Sequence, residues 1–191
     1  MYLKQVLSLL FILLFSAEIF SANLKITNVT NVNNKVSVVF NNTLNLKDFV
    51  LIDDNLISPF YENKGNKYYF FYFLNRNFKN DIIKKAKDKN ANIVDNSKGV
   101  IEYKINKCNI VKNPKTTLAF MSVIFNDTIE VNCSILNGKY GLWVAWPSIK
   151  DKDKWNKVFE IKDKKLKEQI DTELLKYYKQ KKNDTNKLKK E

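Results

Sequence analysis

Residues 37–43 read SVVFNNT, and residues 122–128 read SVIFNDT. Five of the seven positions are identical, at an offset of 85 residues. Upstream, Leu24-Lys25-Ile26 is similar to Tyr103-Lys104-Ile105 at an offset of 79, and the six-residue difference fits an insertion around Lys112–Thr117. A repeat at a fixed spacing is best read before any single element, and here it predicts an internal duplication. Each half then reads alike. A first strand (24–31, 102–111) precedes a second (35–41, 118–126). A polar turn (Asn41-Asn42-Thr43 or Asn126-Asp127-Thr128) leads into a third (44–52, 129–136). Val, Ile and Phe in partial alternation are what half-buried strands need.

Beyond the third strands the halves diverge in sequence. Asp53-Asp54 closes one, and Asn137-Gly138, a strong hairpin signal, closes the other. A fourth strand, Gly141 to Trp146, is expected in the second half only, stopped by Pro147. Lys150 to Lys154 reads as a charged loop and Lys157 to Ile161 as a brief strand. The first half carries the aromatic run Tyr68 to Phe73 after Lys64-Gly65-Asn66-Lys67 and a short helix over 76–86. A longer helix is predicted over 163–180, where Leu166, Ile170, Leu174 and Tyr178 make one apolar stripe. A helix with one apolar stripe and a sheet with one bare face each need a cover.

Composition bounds the chemistry. The 191 residues hold 33 Lys+Arg, 20 Asp+Glu and no histidine, for a formal net charge of +13. Without His there is no Ser-His-Asp or Cys-His machinery and no His general base near pH 7. Two cysteines cannot build a four-cysteine metal site. Four glycines leave no Gly-rich phosphate loop, and no GxGxxG or GxxxxGK string occurs. The expectation is a non-enzyme with no catalytic residue, metal, cofactor or small-molecule substrate. The 45% hydrophobic share is that of a globular chain.

Residues 1–22, MYLKQVLSLLFILLFSAEIFSA, have the layout of a secretory signal peptide: Lys4, an apolar core from Leu7 to Phe15, then small residues to Ala22. The expected location is therefore exported, periplasmic or extracellular, with membrane anchoring by an uncleaved leader as the alternative. Domain limits follow as leader 1–22, first repeat 23–86, polar linker 87–99, second repeat 100–180 and a Lys-rich tail 181–191.

Asn137-Gly138 followed by GLWVAWPS (Gly141 to Ser148) resembles the signature of the SpoVG family. The downstream order of charged segment, short strand and helix also resembles that family over about residues 102–178. In the first half the motif is replaced by Leu56-Ile57-Ser58-Pro59-Phe60, so that half is a degenerate unit whose membership rests on the duplication. The resemblance implies an α+β fold of two tandem SpoVG-like units, each an antiparallel β-meander with a C-terminal helix packed on one face. It also implies bacterial origin, a link to septation (cell division) and sporulation, nucleic-acid binding and dimers. Two units in one chain would then form an intrachain pseudo-dimer, with homo-oligomers also open.

The chain departs from the family in three respects. It carries an export leader, it holds two units, and it has lysines where the family has arginines. Arg76 is its only arginine, and Ile149 replaces the first basic residue after Pro-Ser. Candidate contacts to nucleic acid or another polyanion are Lys150, Lys152, Lys154, Lys157, Lys164, Lys165, Lys167 and Lys176, with Trp143 as a stacking surface. Lysine binds phosphate as a point charge and lacks the fork that reads guanine, so base-specific reading is expected to be weak. The alternative function is an exported envelope module that uses the fold to bind a protein or a polyanionic surface. Trp146 is expected under the helix. Cys108 and Cys133, on first and third strands, would stand ~9–10 Å apart, beyond disulfide reach.

Overall fold

The computed structural model describes residues 24–88 and 99–187. The leader, most of the linker and the last four residues lie outside the described residues. The fold is α+β, mostly antiparallel sheet, with one short and one long helix among the described residues.

The first half runs β1 (Ile26–Val32), β2 (Lys35–Phe40), β3 (Leu44–Ile52), β4 (Asn55–Ile57), β5 (Phe60–Asn63), β6 (Asn66–Tyr69), β7 (Phe71–Phe73) and α1 (Arg76–Lys87). The second runs β8 (Tyr103–Ile110), β9 (Thr117–Phe125), β10 (Ile129–Gly138), β11 (Gly141–Ala145), β12 (Ser148–Asp151), β13 (Lys154–Lys157), β14 (Phe159–Ile161) and α2 (Lys164–Lys187). The same order of seven strands and a helix therefore occurs twice. The sequence reading missed β4 and β5, and it took Lys150 to Lys154 for a charged loop where β12 and β13 pair as a hairpin. Lysines and aspartates there alternate around a Lys152 turn with positive φ, so their charge masked a ladder. The strand expected over 157–161 is broken at Val158, which turns inward.

The repeated heptapeptide explains why the halves begin alike. Val38 and Phe40, and equally Val123 and Phe125, are fully buried. Each motif then turns through two residues with φ between 45° and 53° (Asn41-Asn42, Asn126-Asp127), a region that Asn and Asp tolerate best among side-chain-bearing residues. Thr43 N–H donates to the Phe40 carbonyl at 2.8 Å, and Thr128 N–H to that of Phe125 at 2.9 Å. The Asn41 and Asn126 amides both donate to one acceptor, the Val100 carbonyl, at 3.1 and 3.2 Å. Gly99 permits that approach, since a Cβ there would stand 2.6 Å from Asn41 Nδ2.

The sheets are not two self-contained meanders. One has the order β1-β2-β3-β14, with β4 also on β3; the other has β11-β10-β9-β8, with β7 also on β10. Thus β14 pairs Phe159–Ile161 with Leu44–Leu46 of the first half, and β7 pairs Phe71–Phe73 with Ile129–Val131 of the second. Each half gives its short pre-helix strand to the other. Phe71 and Phe159, the buried leads of the exchanged strands, lie 6.2 Å apart between centroids; Phe49 packs on Phe71 at 5.4 Å and Phe125 on Phe159 at 5.8 Å. The centre of the core is therefore built from both halves.

Helix α1 starts at Asn75, whose side chain accepts from Phe78 N–H, and buries Ile82, Ile83 and Ala86 against β1, β4 and β7. Helix α2 starts at Asp163, which accepts from Leu166 N–H at 3.1 Å. It buries Ile170, Leu174 and Tyr178, with Leu166 half-buried, so the expected stripe is the packed face. The helix continues to Lys187, past the predicted end at 180. The expected turn at Asn137-Gly138 also moves. Gly138 pairs with Gly141, leaving Lys139-Tyr140 as the turn, because the ladder can run on past two glycines.

An aromatic cleft on the second sheet

Side chains alternate across a strand, so each sheet row has a fixed face. In the second sheet, one face carries Cys108, Met121, Cys133 and Val144, which are in register or in phase along their strands, and α2 packs on β8 and β11. The opposite face presents the row Asn109, Phe120, Ser134 and Ala145, with Leu136 paired to Trp143 beside it. This row is the floor of a cleft of about 800 Å³.

Two hairpins supply the walls. From the first half, β5–β6 brings Tyr61 and Tyr68, stacked at 4.8 Å with 11° between planes, and Tyr69. The Lys64-Gly65 turn, with positive φ at both residues, places these tyrosines opposite each other. The hairpin is tied to the second sheet by Asn132, whose N–H donates to the Phe70 carbonyl at 2.9 Å and whose Nδ2 donates to that of Tyr69 at 2.8 Å. From the second half, β12–β13 brings Ser148 and Trp155. Its base is fixed by Val158 N–H donating to the Pro147 carbonyl at 3.1 Å. Trp146 holds the corner: its indole donates to Asp171 Oδ1 of α2 at 2.8 Å and its ring packs 5.0 Å from Phe159.

The lining is rich in rings and free of Lys, Arg, Asp and Glu. Trp155 is 67% exposed and Trp143 50%, and Phe120, Tyr61 and Tyr68 are also exposed. Such a concentration of open aromatic surface in one place marks a contact site. Burial, and then the neighbouring Tyr68, pushes the Tyr61 phenol up. On the opposite face, under α2, burial, with smaller contributions from Asp171 and Cys108, pushes the Cys133 thiol up to about 12. Cys108 and Cys133 both pair with Met121 from opposite sides, so the whole of β9 separates them, and both are free thiols.

The predicted contact residues divide into two groups. Trp143 is on the cleft floor. Lys150, Lys152, Lys154 and Lys157 are all exposed on the β12–β13 hairpin. The pairings Ser148 with Lys157 and Lys150 with Trp155 put these four residues on one hairpin face, so Lys150 and Lys157 flank the cleft. Lys154 pairs with Asp151 on the other face. Lys164, Lys165, Lys167 and Lys176 are on α2, which packs on the sheet face opposite the floor, and Lys167 is paired with Asp171. The helical lysines and the cleft are therefore not one surface. Sequence reasoning missed Tyr61, Tyr68, Phe120 and Trp155. The one available signal was the symmetric placement of Tyr61 and Tyr68 about Lys64-Gly65.

Among the described residues no cluster of three or more His, Cys, Asp or Glu could hold a metal ion. No helix among them is long and apolar enough to cross a membrane. No family model, curated protein or solved structure matches this chain.

Proposed function

We propose that this chain is a non-enzymatic binding protein of the bacterial cell envelope, made of two SpoVG-like units joined as an intrachain pseudo-dimer, with the aromatic cleft as its working surface. One observation carries this reading. The string that resembles the family signature runs directly through the cleft: Trp143, Ala145, Trp146, Pro147 and Ser148 all line it. The reciprocal loan of β7 and β14 supports the pseudo-dimer, because the two halves complete each other as two copies would. The leader-like residues 1–22 support export. A lining that offers no carboxylate or amine suits holding a ligand and not moving its protons. The test is fractionation of native cells with mass spectrometry of the protein's N-terminus. A chain starting near Asn23 outside the cytoplasm is expected; an intact Met1 in the cytoplasm overturns the envelope assignment.

A second reading has its own observation. Lys150 and Lys157 share a hairpin face with Trp155. A single-stranded nucleic acid can stack bases on Trp rings and set phosphates beside lysines, as the family's nucleic-acid binding and septation role would suggest. Its affinity would fall steeply with salt as counterions are released, and a flat salt response overturns it.

A further inference from the structure

The interior of the cleft and its rim differ in chemistry. The rim carries Lys150 and Lys157, whereas no charged side chain lines the interior. A charged ligand group moved inside would lose water and meet no countercharge, which is strongly unfavourable. The interior therefore selects an uncharged ligand. Its size, about 800 Å³, is within the ~300–1,000 Å³ of small-ligand sites.

A purely hydrocarbon ligand does not fit either. The Asn109 amide, the Ser134 hydroxyl and the indole N–H groups of Trp143 and Trp155 make no hydrogen bond among the described residues. Asn132 uses its Nδ2 on Tyr69 and keeps its Oδ1 available. Covering these groups with hydrocarbon would strand them without water. The matching ligand has an apolar face for the rings and a rim of hydroxyls for the amides and Ser134. A pyranose ring has that construction, with C–H groups on its faces and hydroxyls around its edge.

We propose that the cleft binds a neutral pyranose oligosaccharide, with Trp143 and Trp155 as stacking platforms and Asn109, Asn132 and Ser134 as hydroxyl partners. This rests on the reading that the cleft is the working surface, and it adds the class of ligand.

The test uses the purified full chain and three uncharged probes: cellohexaose, chitohexaose and maltohexaose. Binding is read by titration calorimetry and by tryptophan emission. At least one probe is expected to bind, with a dissociation constant that changes less than about twofold from ~50 to ~500 mM salt, because no counterion is released. Trp143→Ala and Trp155→Ala remove half-exposed or exposed rings and should leave the fold intact. Each is expected to weaken binding by roughly two- to tenfold, the scale of one lost stacking contact. Tyr140→Ala, at a turn residue 95% exposed and outside the lining, should change nothing. No saturation by any probe at ~10 mM, weaker than millimolar binding, overturns the proposal. So does sugar binding that survives both Trp variants. Salt-sensitive binding of an oligodeoxythymidine that fails in Trp155→Ala and in Lys150→Ala, with no sugar bound, would assign the cleft to nucleic acid instead. Failure with sugars by a chain found outside the cytoplasm refutes the ligand class alone. Sugar binding by a chain with intact Met1 in the cytoplasm refutes the envelope assignment alone.

Discussion

Replacing Asn41 tests how the repeated turn holds the two halves together. Asn41 is fully buried, its Nδ2 donates to the Val100 carbonyl at 3.1 Å, and its Oδ1 accepts from Lys25 N–H at 2.7 Å. Its φ is 48°, where the Cβ of any residue but glycine crowds the following carbonyl oxygen. That crowding costs about 1–2 kcal/mol and is already present with asparagine, and each lost hydrogen bond costs about 0.5–1.5 kcal/mol net. Asn41→Ala keeps the crowding and loses two bonds, so it should destabilise by ~1–3 kcal/mol, a sizeable share of the ~5–15 kcal/mol typical of a whole domain. Asn41→Gly loses the same two bonds but relieves the crowding, so it should destabilise by ~1–2 kcal/mol less than alanine. The assay is urea unfolding followed by far-UV circular dichroism. With a slope of ~2 kcal/mol per molar urea, the alanine variant should shift the midpoint down by ~0.5–1.5 M and the glycine variant by ~0.5–1 M less than that. Equal midpoints for the two variants would show that the backbone at residue 41 is not strained as described. A shift under ~0.3 M for Asn41→Ala would refute the role of the side chain altogether.

Other outcomes are open to equally direct measurement. Phe71→Ala and Phe159→Ala should each destabilise by ~3–5 kcal/mol, and the double variant by clearly less than the sum, because the two rings share one packed site. Additive values would place them in separate cores. Burial pushes the Glu130 carboxyl up, but hydrogen bonds from Asn106 and Lys107 and the charge of Lys107 more than reverse this, so its pKa lies below the ordinary glutamate value. A depressed folded pKa stabilises above the unfolded pKa, and that stability is lost as pH falls through the folded value. Wild type should thus exceed Glu130→Gln in stability at pH 7 and lose that advantage below about pH 4.5; a difference independent of pH refutes it. Cys133, buried with its thiol pushed up to about 12, should resist aromatic disulfide reagents at pH 8 in the folded protein and react at once in denaturant.

The parts legible in the sequence are those decided by local chemistry. The SVVFNNT and SVIFNDT stretches specify buried Val and Phe followed by an Asn or Asp turn, and that reading needs no partner strand. The stripe from Leu166 to Tyr178 specifies the buried face of α2 for the same reason. The exchange of β7 and β14 was not legible because each strand is three residues long, Phe71-Tyr72-Phe73 and Phe159-Glu160-Ile161. So short a segment has the same alternation whichever sheet accepts it. Most of the cleft was hidden with it. Trp143 was visible as an exposed ring on one strand, but Tyr61 and Tyr68 reach the second sheet only through the exchange and the tie at Asn132.

The loan of β14 also bears on when the protein can assemble. Ile161 pairs with Leu44, so the first sheet lacks its last edge until the ribosome has made all but the C-terminal helix. The pairing spans most of the chain, and such distant contacts slow folding because a long loop must close first. During synthesis the first sheet would therefore stay incomplete until β14 has emerged. Under the proposed export, delayed completion of this kind would keep the chain in a form that a narrow translocation channel can accept.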